Sequence, residues 1–231
     1  MKQFFAFVIT IFLTSSIQGQ NQFIDVSGGV NLARIGNYTH LRMAPAAGLG
    51  YELRFAKIMS FKTGIMYNER GGNFKTGFWD NVSQEFYNRN LKVQSHYVSL
   101  PVLLGLVSTK ETYGFGRFGL MISYLLDATQ GTPQLIDGKN VIGTRNIKHL
   151  FNTFDVVGLI EGGVGGSVSS RIIIEGALGI QVGLTNALNQ NRSNNSIYDP
   201  NTSSIQLPKY PHFGFSAMIG LKYRFGAKLE E

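Results

Sequence analysis

The chain has 231 residues, 43% of them hydrophobic and only 15% charged, against about 25% charged in an average soluble domain. It has no cysteine, which excludes disulfides, thiolate metal sites, cysteine nucleophiles and a lipid-anchor cysteine. The net charge is +7, yet like charges never form a block, so the basic excess does not point to nucleic acid. With 28 glycines and 12% aromatics, the composition fits β-structure with many turns and not disorder.

Lys2 and the apolar run Phe4–Leu13 open the chain, followed by small Gly19. The run is about ten residues, half the roughly 20 that a spanning helix needs, and reads as a cleaved secretory signal over 1–19. Residues 20–231 are then one exported domain.

From there the period is two. The first strand is expected over 22–32, with Ile24, Val26 and Val30 opposite Asp25 and Asn31. The second spans 45–55, with Leu49, Leu53 and Phe55 opposite Glu52 and Arg54. The third, 58–67, sets Phe61, Ile65 and Tyr67 against Lys62, and the fourth and fifth span 93–107 and 113–125. Alternation returns over 154–168, where Phe154, Val156, Ile160 and Val164 oppose Asp155 and Glu161. It is cleanest over 171–184, where Ile172, Ile174, Leu178, Ile180 and Val182 oppose Glu175 and Gln181. The last strand, 212–225, sets Phe215, Ile219, Leu221 and Tyr223 against Lys222 and Arg224.

Each of the eight is near or above the 9–11 residues with which a tilted strand crosses a membrane. The connections alternate as well. Those after the second, fourth and sixth strands are tight, whereas 68–92, 126–150 and 185–211 are long and polar. Short turns at one end and long loops at the other define an outer-membrane plan. The expected fold is an all-β, eight-stranded antiparallel up-and-down transmembrane β-barrel, with short periplasmic turns and long extracellular loops.

If the apolar parity faces lipid, the lumen receives Asp25, Glu52, Asp155, Glu161 and Glu175 together with Arg54, Lys62, Arg117, Lys222 and Arg224. Eight strands leave an interior just wide enough for side chains, so this near-neutral set is expected to plug the barrel as a charge network. Rings near strand ends, Tyr51, Phe55, Phe61, Tyr67, Tyr97, Tyr113, Phe115, Tyr124, Phe154, Tyr223 and Phe225, are read as interfacial girdles.

Residues 114–119 spell GFGRFG, the G-x-G-x-x-G of a dinucleotide fingerprint, with Asp137 roughly 20 residues on. That motif needs a strand before it and a helix after it. Here a turn precedes it and strand alternation follows, so no nucleotide is expected. Instead Arg117 must point inward, with Gly119 leaving it room. His40, His96, His149 and His212 show no metal-ligand spacing. His212 and Ser216 share one inward face and frame a minor alternative, an outer-membrane lipid hydrolase. No cofactor, no metal and no catalytic residue are expected.

Several segments resemble the PorT-like outer-membrane β-barrel family of Bacteroidetes. HYVSLPVLLGL, with Tyr97, Leu100, Pro101 and Leu103, looks like its tyrosine–aliphatic–proline strand. FGLMISYLLDA resembles the strand that follows, and FDVVGLIEGGVGGSV with RIIIEGALGIQVGLTNAL its Asp-and-Gly pair ending in a Gly-Leu-Thr-Asn turn. NERGGNF is similar to its Glu–Lys–Gly element, with Arg70 in the lysine place. The resemblance implies an eight-stranded outer-membrane barrel, and its namesake is associated with protein secretion. Pro101 within a strand predicts a bulge. One departure is the tail GAKLEE after Phe225, where such barrels usually finish on the aromatic.

The expected function is a non-enzymatic integral protein of the cell outer membrane acting through its extracellular loops, in surface binding or secretion. Its partners are outer-membrane lipid and lipopolysaccharide, with a protein of a secretion or surface complex as a further candidate, and no nucleic acid or nucleotide. The second reading is a soluble lipocalin-like barrel carrying a small apolar ligand, which requires an apolar interior.

Overall fold

A computed structural model describes the backbone of residues 21–35, 40–55, 58–80, 85–108, 110–136, 139–187 and 211–225. At Ile35 and within 74–80, 85–91, 132–136 and 139–142 the description is of backbone alone. The leader assigned to 1–19, Asp137 and most of the 185–211 connection lie outside these residues.

The strands are β1 (Asn21–Ile35), β2 (Arg42–Phe55), β3 (Met59–Asp80), β4 (Glu85–Val107), β5 (Thr112–Ile136), β6 (Lys139–Asn146), β7 (Phe154–Ser167), β8 (Ile172–Gly183) and β9 (His212–Arg224). Antiparallel pairing runs β4-β3-β2-β1-β9-β8-β7-β5, and β4 pairs with β5 to close the barrel. Eight strands therefore make the wall, as the alternation predicts. The ninth, β6, is an addition within the expected 126–150 loop. It pairs with β5 over Thr129–Ile136, above the stretch Thr112–Tyr124 where β5 pairs with β7. The 68–92 connection is likewise mostly ribbon, because β3 and β4 stay paired up to Asp80 and Glu85.

The expected bulge at Pro101 is not there. Pro101 pairs with Met121 in unbroken register. Its missing N–H instead coincides with a gap in the β3–β4 pairing between Thr63↔Val102 and Met66↔Ser99, with the same register on both sides. The shift occurs four residues earlier in the chain. His96 pairs with Asp127 but Tyr97 pairs with Leu125, which leaves Leu126 as the extra residue on β5. Parity flips there. Met121, Ser123 and Leu125 are buried at odd positions, then Ala128 and Gln130 at even ones.

Outside the barrel, Ile24, Leu49, Ile65, Leu104, Phe118, Ile160, Leu178 and Ile219 are all exposed. The lumen holds Asp25, Glu52, Arg117, Asp155, Glu175 and Lys222, all buried. An apolar exterior around a charged interior is the inverse of the lipocalin arrangement and overturns that reading. Among the expected girdle rings, Tyr67, Tyr124, Phe154, Tyr223 and Phe225 do face outward. Tyr97, Tyr113 and Phe115 do not: they lie on the inward parity, and all three are buried.

Those inward rings belong to apolar clusters at the two ends. Phe23, Val107, Tyr113, Phe115 and Ile173 pack together at the periplasmic end, against partly buried Ala177. At the extracellular end, Val93, Tyr97, Leu125 and Ala128 pack with Ile147, Leu150, Phe151 and Ala187. The cap is stitched to the wall. Ile147 N–H donates to Ala128 O at 2.8 Å, Leu125 N–H to Thr153 O at 2.8 Å, and Asn152 N–H to Ala187 O at 2.8 Å. A 3-10 turn, Lys148–Leu150, carries the chain across.

Candidate functional site

The lower lumen is organised by Arg117 on β5. Its guanidinium donates to Glu161 at 2.9 Å, to Glu52 at 2.7 Å and to Glu175 at 3.0 Å, and it stacks 3.8 Å from the Phe115 ring centroid. Lys222 pairs with Glu52 and lies 2.7 Å from Glu175. Arg54 donates to Glu52 and to the Tyr113 hydroxyl, each at 2.7 Å, and Tyr113 donates to Glu175 at 3.0 Å. The Arg54 guanidinium lies between the Phe23 and Tyr113 rings, 4.5 and 4.4 Å from their centroids. The charges therefore interlock with the periplasmic apolar cluster.

Local sequence explains how so large a cluster fits. Arg117 is paired across the ladder with Gly105, where a Cβ would sit 2.5 Å from Arg117 Cγ. Asp25 is paired with Gly50, where a Cβ would sit 2.1 Å from Asp25 Oδ1. Gly119, expected to give Arg117 room, instead lies against the β4 backbone, with Val102 O 2.1 Å from its virtual Cβ.

Of the ten residues read as lumen charges, Glu52, Arg54, Arg117, Glu161, Glu175 and Lys222 form this one network. Asp25 and Lys62 make a separate pair at 3.4 Å. They border a cavity of about 40 Å³ that is also lined by Met66, Met121, Gln181 and Met218. At about 10–15 Å³ per molecule, that volume holds about three waters. Arg224 stands apart at the periplasmic mouth, 5.4 Å from the Phe23 centroid and 3.4 Å from Ser170 O.

Asp155 belongs to an upper cluster whose main cation, Arg70, sequence reading leaves in a loop. Arg70 donates to Asp155 at 2.8 Å and to Ser123 at 3.0 Å, and lies 4.9 Å from the Tyr97 centroid. Thr185 donates to the other Asp155 oxygen at 2.6 Å, and His212 Nε2 is 3.4 Å from Asp155 and 3.3 Å from the Tyr97 hydroxyl. The signal for Arg70 is parity: Lys62, Gly64, Met66, Asn68 and Arg70 share one face of β3. Higher still, Arg42 and Glu69 pair at 2.5 Å.

His212 and Ser216 are four residues apart on β9, hence about 13 Å at roughly 3.3 Å per residue. That exceeds the reach of a nucleophile and its base, and His212 is held by Tyr97 and Asp155 instead. The GFGRFG stretch is strand throughout, inside β5, with no helix after it. Among the described residues, no group of three or more His, Cys, Asp or Glu is placed to hold a metal ion.

An antiparallel barrel of eight wall strands with an apolar exterior and a charged lumen defines an integral outer-membrane β-barrel protein. Residues 18–178 match the family described as outer membrane protein beta-barrel domain; the chain belongs to that family, and its place is the outer membrane. Among solved structures, it is similar to Ail, the attachment invasion locus protein of Yersinia pestis, solved with the heparin analogue sucrose octasulfate. The identity is 12% and the TM-score 0.45, over 90% of this chain and 100% of that one. It is also similar to Neisserial surface protein A, with 8% identity and TM-score 0.45 over 90% and 100% of the two chains. A third is OprG from Pseudomonas aeruginosa, with 11% identity and TM-score 0.46 over 90% and 97%. No curated relative matches the chain.

Proposed function

We propose that the protein is a non-enzymatic surface-binding barrel, whose charged lumen is a rigid core and whose extracellular end makes the contacts. The observation that carries this reading is an asymmetry. Buried apolar clusters lie at both ends of the lumen and the cavity beside Asp25 and Lys62 has only about 40 Å³, while β3–β4 and β5–β6 run on as ribbons beyond the wall. A solute path would need the reverse. Outer-membrane lipid and lipopolysaccharide surround the wall, and a surface or secretion-complex protein is the partner class for the ribbons. The secretion role rests on the resemblance to the PorT-like family alone. The test has two arms. Vesicles containing the purified chain should exclude small sugars in a swelling assay, and crosslinkers placed along β3, β4 and β6 in intact cells should capture a discrete partner. Sugar entry, or crosslinks from the periplasmic turns alone, would reverse the reading.

A further inference from the structure

The cap over the extracellular mouth presents a polar, basic surface. Thr144, Arg145, Asn146, Lys148 and His149 are all exposed, while Ile147, Leu150 and Phe151 between and beside them are buried. The alternation is structural: the buried three root the segment in the extracellular apolar cluster and leave the cations facing water. The segment is also pinned from outside. Asn146 Nδ2 donates to Asp127 Oδ1 at 2.8 Å, and Asn146 Oδ1 accepts from Lys148 N–H at 3.0 Å. Asp127, the nearby acid, is thus engaged by an amide. Among the described residues no ion pair involves Arg145, Lys148 or His149.

Direction follows from register. Arg145 pairs with Gln130, which pairs with Val93, and both of those are buried on the lumen-side face. Cross-strand partners share a face, so Arg145 rises over the barrel mouth and not toward the lipid around it. A ligand for this surface arrives from above. A protein interface would want an exposed apolar centre, and the exposed side chains here are polar.

We propose that the Arg145–Lys148–His149 surface binds an anionic polysaccharide, by charge and hydrogen-bond donation, at the top of the cap. This deepens the surface-binding reading and rests on it. The backbone that carries these side chains is already held by the cap, so binding orders little chain, and the attraction falls with salt because the site is exposed.

The experiment uses the full chain in detergent micelles with dextran sulfate and alginate as probes, neutral dextran as the control, and lipopolysaccharide vesicles as a rival. Dextran sulfate and alginate should bind at low salt and release as salt rises, while dextran should not bind. The double charge reversal R145E/K148E should weaken both interactions at least tenfold. K110E, at the periplasmic turn, should leave them unchanged, and each variant is checked for the folded, heat-shifted gel band. Absence of binding at low salt, indifference to the double reversal, or binding to lipopolysaccharide vesicles alone would overturn the proposal. If those outcomes appear while ribbon crosslinks still capture a protein, only the polysaccharide inference falls.

Discussion

Arg117 meets three carboxylates inside the barrel, and that fixes what its loss does. Arg117→Met removes the shared partner and leaves Glu52, Glu161 and Glu175 with fewer cations in a buried site. Removing one member of a buried ion pair costs about 3–5 kcal/mol. Urea unfolding of the barrel in lipid vesicles should show a loss of that size, and a loss under about 1 kcal/mol would mean the carboxylates find other partners. The glycines of GFGRFG and their neighbours give a paired test. Gly105→Ala drives a Cβ to 2.5 Å from Arg117 Cγ and 2.6 Å from Gly116 O, so it should cost about 1–3 kcal/mol by overpacking. Gly116→Ala meets nothing within 4 Å and should be neutral or mildly stabilising in the same titration. At this scale the sequence already shows that Arg117 shares parity with the other lumen charges. It does not show that Gly105, from another strand, is the residue that makes room, because register across strands is invisible in one strand's alternation.

At the scale of the element, β5 shows where the alternation stops informing. The expected strand ends at Leu125, where parity breaks, and the break is a bulge, not an end. A reader of period two sees one extra residue as the loss of pattern. Arg70 is hidden for a related reason: past Tyr67 the apolar half of the alternation fails because β3 leaves the lipid, while the inward parity continues. Ala128→Glu should therefore act on the cap. It would place an unpartnered carboxylate at the inward position that follows the bulge, within the cluster that holds Ile147 and Leu150. Trypsin should then cut quickly after Arg145 or Lys148 while the barrel keeps its folded gel mobility. Cap resistance equal to that of the parent chain would mean the flip in β5 does not anchor the cap.

For the whole molecule, the decisive relation is between the two faces of each wall strand and the two media they meet. Leu178 on β8 is 70% exposed and faces the surroundings, while its neighbours in register, Gly162 and Ala217, belong to the same outer surface. Three residues away, Glu175 faces the lumen and meets Arg117 and Lys222. In water the exposed band would be a liability, whereas in a bilayer it is the required surface, and only the charged parity needs internal partners. Leu178→Arg should thus cost about 2–4 kcal/mol if the residue sits near the midplane of a bilayer. The same variant in detergent micelles, where the headgroup shell adapts around an arginine, should lose much less. Measuring both isolates the medium from the fold, since the two preparations share every internal contact. Equal losses in the two media would mean that arginine disturbs the strand itself, and the eightfold sorting of apolar residues outward would then need another cause than lipid.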